Sequence, residues 1–187
     1  MPPRERYTRE QIVDAAMALV QKEGLPSLNA RGLAAQLGSS TQPIFRHFSH
    51  MEEVRQAVLD RANRVYNRYM RMHLDEKPYK SAGLAYIRFA AEEKALFRLL
   101  FMRDRRREDL SGEQDANLDA VLDAIQAAAG LDRETARAFH LQMWIFTHGL
   151  AVMLATDYLP ISYAEAGRLL TLQFEAMKGR YQNGKQH

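Results

Sequence analysis

Apolar residues recur along this chain three and four positions apart, and nowhere settle into the alternation of a half-buried strand bounded by turn signals. Ile12, Ala15, Ala16, Leu19 and Val20 share one face of a first helix. Thr8 and Gln11, just ahead of it, have the T-x-x-Q spacing of a capping box, in which each side chain accepts from the other residue's backbone N–H. Gly24 supplies a left-handed cap at the far end, and Pro26 prevents continuation. A second, shorter helix follows an N-cap at Asn29, with Leu33, Ala34 and Leu37 as its inner face and Gly38 as its stop. Gly32 lies inside it, at a cost of about 1 kcal/mol relative to alanine. A third helix falls within SSTQPIFRHFSH, Ser39 to His50. Ser49 and Glu52 then repeat the capping-box spacing and open a fourth helix to about Met72.

Beyond Lys77 and Pro78 the same period predicts helices over about 79–93, 95–102, 113–129, 133–157 and 162–182, punctuated by Gly130 and Pro160. The polar link RDRRREDLSGEQ reads as a solvated loop rather than a second nucleic-acid site. The fold class is therefore all-α with about nine helices. A helix-turn-helix module occupies residues 1–50, a connecting helix 51–72, and a larger helical region 73–187. Leu33, Leu37, Ile44 and Phe48 are placed to meet inside the module, and Gly38 gives its turn the backbone freedom it needs.

The third helix is short and carries a proline. With Ser40 as N-cap, Thr41, Gln42 and Pro43 are its first three positions, whose N–H groups have no carbonyl partner inside the helix, so the missing donor of Pro43 breaks nothing. The front of such a helix enters the major groove when a helix-turn-helix binds DNA. Gln42 suits adenine, Thr41 a base or phosphate, and the Pro43 ring a thymine methyl. Arg46 and His47 are placed for phosphates, and Arg31 for guanine or a phosphate.

Composition narrows the class further. Of 187 residues, 47% are hydrophobic and 26% charged, the balance of a folded soluble protein rather than a disordered one. The absence of cysteine excludes disulfides and cysteine-zinc sites. The opening MPPRERYTREQ lacks the apolar core of a signal peptide. The longest apolar-rich run, FHLQMWIFTHGLAVMLATDYL, is broken by Gln142, Thr147, His148 and Gly149, so a buried helix fits it better than a membrane span. A cytoplasmic location follows as the expectation. Residues 1–72 carry 11 Lys/Arg against 7 Asp/Glu, whereas residues 73–187 carry 15 against 16, which places the surplus positive charge on the module expected to meet DNA.

The stretch TREQIVDAAMALVQKEGLPSLNARGLAAQLGSSTQPIFRHFSHMEEV resembles the DNA-binding region of the TetR/AcrR family of bacterial transcriptional regulators. The likeness lies in the order of signals: an opening helix ending in EG, an LA..LG second helix, a recognition helix ending in aromatic-x-His-Phe, and a capped S-x-x-E helix. Farther on, MWIFTHGLA is similar to the Trp-x-x-x-His-Gly signature of one subgroup, and YIRFAAEEKALFRLLF to its fifth and sixth helices. Three positions depart from the family pattern. Phe45 stands where tyrosine is usual, Met51 where lysine is common, and Ser39 where an apolar residue is common. Losing the first two groups removes phosphate contacts, each flattening the salt dependence by about one unit. Binding weaker than a typical member's is expected unless Arg4, Arg6, Arg46 or His47 compensates.

The resemblance implies a regulator, not an enzyme: a repressor that binds a palindromic operator in double-stranded DNA as a homodimer and is released by a small apolar or amphipathic effector. The implied DNA-facing set is Arg31, Ser40, Thr41, Gln42, Pro43, Phe45, Arg46 and His47. Candidates for a ligand pocket are Tyr86, Phe89, Phe97, Phe101, Met143, Trp144 and His148, with His140 a further polar group nearby. Candidates for a four-helix dimer interface are Phe146, Leu150, Met153 and Leu154 on one helix, and Leu169, Leu172, Ala176 and Met177 on the next. The competing assignment makes the same aromatic and aliphatic residues monomer core. No cofactor or metal is expected: His140 and His148 are eight apart, without the i, i+4 pairing and third ligand that zinc needs. No phosphate loop or nucleophile elbow occurs either. A ligand-independent DNA binder and a helical interaction protein are the alternatives.

Overall fold

The computed structural model describes residues 7–102, 118–159 and 161–183, with Asn183 described by its backbone alone. Arg4, Arg6, the RDRRREDLSGEQ link, residues 113–117 of an expected helix, and Pro160 lie outside the described residues. Among the described residues there are nine α-helices and no strand. They are α1 (Arg9–Glu23), α2 (Ala30–Gln36), α3 (Gln42–His47), α4 (Met51–Met70), α5 (Pro78–Glu92), α6 (Lys94–Phe101), α7 (Leu118–Ala129), α8 (Arg133–Ala155) and α9 (Tyr163–Asn183). The chain divides into two compact units, Met1–Asn67 with Ala95–Arg103, and Arg68–Lys94 with Asp104–His187.

In the first unit local chemistry sets most helix ends. The capping box forms: Gln11 N–H donates to Thr8 Oγ1 at 3.2 Å, and Thr8 N–H to Gln11 Oε1 at 2.9 Å. Gly24 closes α1 with φ +83° and ψ 170°, so φ is positive as expected but ψ is extended rather than left-handed helical. Asn29 Oδ1 accepts from Arg31 and Gly32 N–H at 3.1 and 3.0 Å. Gly38 adopts φ +59° after α2, where Gly38 N–H reaches Ala35 O and Ser39 N–H reaches Ala34 O, the two bonds of a Schellman motif.

Two helix starts differ from expectation by one residue. The N-cap of α3 is Thr41, not Ser40, and it makes no side-chain cap bond, so Pro43 is the second helical residue rather than the third. Its missing donor still falls among the orphan N–H groups of a first turn. At α4 the expected Ser49–Glu52 box is replaced by one built on His50 and Glu53. His50 Nδ1 accepts from Glu53 N–H at 3.2 Å, and the Glu53 carboxylate accepts from Ser49 N–H at 2.8 Å. Glu52 instead pairs with Arg55 at 3.0 Å, one turn along the exposed face.

The core of this unit joins Ile12, Leu19 and Val20 of α1, Leu33 of α2, Ile44 and Phe48 of the α3 region, and Val54 and Val58 of α4, all buried. Leu96, Phe97 and Leu100 of α6 are buried too. Phe101 meets Tyr66 of α4 edge to face at 5.3 Å.

The second unit is built on α5, α7, α8 and α9. Phe139 of α8 is fully buried at the centre of an aromatic cluster, 5.3 Å from Phe174, 5.6 Å from Tyr181 and 6.5 Å from Tyr79. Asp132 caps α8 by accepting from Thr135 N–H at 2.9 Å. By length and composition α8 qualifies as a membrane span, but Ala136, Phe139, Met143, Leu150 and Leu154 line its inner face against the core of this unit. The phenol of Tyr69 donates to Glu92 at 2.8 Å, and Arg88 Nε donates to the same carboxylate at 2.8 Å. Burial, reinforced by that carboxylate, pushes Tyr69 up to about 12. Arg88 foremost, then Tyr69, hold Glu92 below the usual carboxylate range.

Candidate functional site

Six residues suffice for α3 because it is anchored on one side and presented on the other. Ile44 and Phe48, one turn apart, are 0% and 1% exposed. Gln42, Phe45 and Arg46 lie on the opposite face and are exposed, Phe45 to 47%. Ser40 and Arg31 are exposed as well, whereas Thr41, Pro43 and His47 are half-buried. Phe45 is exposed on the same side of α3 as the Gln42 amide and the Arg46 guanidinium. It offers apolar contact beside hydrogen-bonding groups, the combination that major-groove edges call for.

The expected role of His47 meets a different geometry. Its Nε2 lies 2.8 Å from the backbone carbonyl of Tyr7, and a carbonyl only accepts, so that nitrogen carries the proton and is turned inward. Tyr7, in turn, donates its hydroxyl to the carbonyl of Leu37. Arg9 sits with its guanidinium carbon 4.6 Å from the Phe48 ring centroid, and its Nη2 lies 3.7 Å from Glu53 Oε1. Neither Tyr7 nor Arg9 stood out in the sequence. Their partners are 30 to 44 positions away, and periodicity carries no such information.

In the second unit Tyr86, Trp144 and His148 come together. The Tyr86 hydroxyl is 2.9 Å from His148 Nδ1, and the Trp144 indole stacks on the His148 ring with centroids 5.2 Å apart and planes 16° apart. Burial pushes the His148 imidazole down from its ordinary range, which favours the neutral ring able to accept the Tyr86 proton. Two turns along the same pair of helices, Tyr79 and His140 repeat the arrangement at 3.4 Å, and burial pushes the Tyr79 phenol up.

The remaining expected pocket residues lie elsewhere. Phe89 and Met143 are buried in packing, Phe89 edge-on to Tyr69 at 5.4 Å and Met143 within the aliphatic core. Phe97 and Phe101 belong to α6 in the first unit. A cavity of about 540 Å³ in the second unit is lined by Leu118, Glu134, Arg137, Ala138, His140, Leu141 and Trp144, so Trp144 and the nearby polar candidate His140 are shared with the expected group. No group of three or more potential metal ligands occurs among the described residues.

The expected interface residues divide by burial. Leu150, Leu154 and Met177 are buried in the core of the second unit. Phe146, Met153 and Leu169 are half-buried, while Leu172 and Ala176 are exposed, Leu172 to 66%. Leu141 and Ile145 of α8, not singled out in the sequence, are 56% and 58% exposed. A helical period assigns each of them to a face but does not say which apolar face is left uncovered.

A family model described as bacterial regulatory proteins, tetR family, matches residues 12–58, and one described as tetracyclin repressor-like, C-terminal domain, matches residues 79–177. The chain is 27% identical over 162 residues to an uncharacterised HTH-type transcriptional regulator of Mycobacterium tuberculosis, spanning 79% of this chain and 70% of that protein. It is 34% identical over 62 residues to the HTH-type transcriptional repressor DrrR1 of Streptomyces coeruleorubidus, 33% of this chain and 23% of that one. Its fold is similar to that of a TetR-like transcriptional regulator from Rhodococcus sp. RHA1, with a TM-score of 0.72, 14% identity, and 96% of this chain and 100% of that one covered. It is also similar to the multidrug binding protein EbrR complexed with imidazole, with a TM-score of 0.60, 23% identity, and 91% and 92% covered.

Proposed function

The chain belongs to the TetR family of bacterial transcriptional regulators, and from that premise we propose that it is a cytoplasmic repressor acting as a homodimer on a palindromic operator. The observation that carries the reading is the split of α3, with Ile44 and Phe48 buried and Gln42, Phe45 and Arg46 offered outward. Gln42, Thr41 and Pro43 read base edges, Arg31 and Arg46 grip the backbone or a guanine, and Ser40 and Phe45 fill the space between. Two copies present two such helices, which suits half-sites about 34–36 Å apart. The apolar residues left exposed on α8 and α9, chiefly Leu141, Ile145, Leu172 and Ala176, are the partner face we assign.

The effector is a small apolar or amphipathic molecule that meets the Tyr86–His148–Trp144 group. It can release DNA only by binding more tightly to a dimer whose recognition helices are misspaced. A ligand-independent binder is the second reading, favoured by the burial of Phe89 and Met143, which fill space a ligand would take. Selection of bound sequences from random DNA tests the main reading. Recovery of an inverted repeat with half-sites one turn apart supports it, and no enrichment at low salt would overturn it. A thermal-shift screen of apolar small molecules then separates the two readings, because only the first predicts stabilisers that also weaken operator binding.

A further inference from the structure

We infer that Tyr7 and His47 form a clasp that sets the angle at which α3 meets DNA, so that His47 is a positioning residue and not a phosphate contact. This rests on the DNA-binding reading above. Leu37 is the C-cap of α2 and His47 the last residue of α3. Tyr7, ahead of α1 and outside both α2 and α3, holds both: its hydroxyl donates to the Leu37 carbonyl, and its carbonyl accepts from His47 Nε2 at 2.8 Å. The Leu37 carbonyl is one that a helix end leaves without an internal partner, so the phenol satisfies it and pins α2 together.

The mechanical need follows from the length of α3. Its two core anchors, Ile44 and Phe48, lie four residues apart on one line along the helix. Two anchors on one line hold a short rod down but leave it free to roll about that line. A third tie off the line removes the roll, and His47 supplies it. Arg9, over the Phe48 ring and beside Glu53, draws the same N-terminal segment against the end of α3. Bidentate base contacts depend steeply on orientation, so loss of the clasp degrades sequence discrimination first. Phosphate attraction, long-ranged and tolerant of angle, should persist.

The test measures affinity of the full chain across salt concentrations for a selected operator and a scrambled duplex. Wild type, Arg46→Ala, Tyr7→Phe, His47→Ala and His47→Gln are compared. Tyr7→Phe and His47→Ala should each weaken operator binding by roughly three- to tenfold, the range one hydrogen bond controls. Their salt slope and scrambled-duplex affinity should stay at wild-type values, and His47→Gln, which keeps a donor, should recover most of the loss. Arg46→Ala should instead lower the slope by about 0.9 and weaken both duplexes. If His47→Ala behaves like Arg46→Ala, or if it and Tyr7→Phe bind as wild type, the clasp is overturned. A wild-type chain that does not distinguish the duplexes refutes the DNA-binding reading instead. The clasp is then judged on the free protein, where the amides of the α2–α3 turn must lose hydrogen-exchange protection in both variants.

Discussion

Gly32→Ala places local propensity and tertiary structure in direct opposition. Alanine is about 1 kcal/mol better than glycine inside a helix, so α2 considered alone should be stabilised. A Cβ at Gly32, however, would lie 2.5 Å from the backbone carbonyl oxygen of Ser27. Reaching even 3.0 Å requires the two to part by about 0.5 Å. That oxygen cannot swing aside freely, because it accepts from Asn29 N–H at 2.8 Å and from Asn29 Nδ2 at 3.2 Å. Moving it weakens one or both bonds, at about 0.5–1.5 kcal/mol each. Moving α2 instead disturbs the Asn29 cap, worth ~1 kcal/mol. With both bonds lost and the propensity gain set against them, the net expectation is a loss of up to about 2 kcal/mol, or a fall in Tm of up to roughly 8 °C for a chain of this size. Urea unfolding followed by far-UV circular dichroism measures it, with an unchanged m-value as the sign that the folded state alone is affected. A variant more stable than wild type by about 1 kcal/mol would show that the Ser27 contact relaxes at no cost, and the account of α2 would fail.

Three further outcomes follow from the geometry. His50→Ala removes the acceptor that caps α4 and should cost about 0.5–2 kcal/mol, whereas Ser49→Ala should cost only a few tenths; the ranking in urea midpoints checks the one-residue shift of the cap. Leu172→Glu or Ile145→Glu should leave stability of the monomer near wild type and shift sedimentation towards a monomer, while Leu154→Ala should lower stability by about 2–5 kcal/mol through the cavity it leaves. Burial depresses His148, so the unfolded chain takes up that proton more readily. The contribution is present in full above the ordinary value of 6.5 and is lost as pH falls from there towards the depressed folded value. His148→Gln should therefore flatten the acid side of a urea-midpoint profile, and a profile identical to wild type would remove His148 from the account.

The helices and their order were legible in the sequence because the interactions that define them are local. A capping box joins residues three apart, as Thr8 and Gln11 do. An amphipathic face repeats every three to four, and a proline in a first turn needs only a knowledge of which N–H groups lack partners. The one-residue shifts at Thr41 and His50 mark the resolution of such reasoning: α3 starts after Thr41 with no side-chain cap, and α4 is capped by His50 although Ser49 also offers an acceptor.

What the period cannot name is the neighbour across space. It marks Leu150, Leu154 and Met177 as apolar-face residues but not that their own unit covers them, nor that Leu141 and Ile145 are left outside. It groups Phe97 and Phe101 with Tyr86 as aromatic, though α6 packs them in the other unit. His47 follows the same rule. Its place at the end of a DNA-facing helix is set by sequence, but the carbonyl it meets lies 40 residues away. Sequence alone determined which segments are helical and which faces are apolar, because those depend on spacings within one turn. Only tertiary structure decided which of those faces and side chains are occupied, because that depends on contacts between residues tens of positions apart.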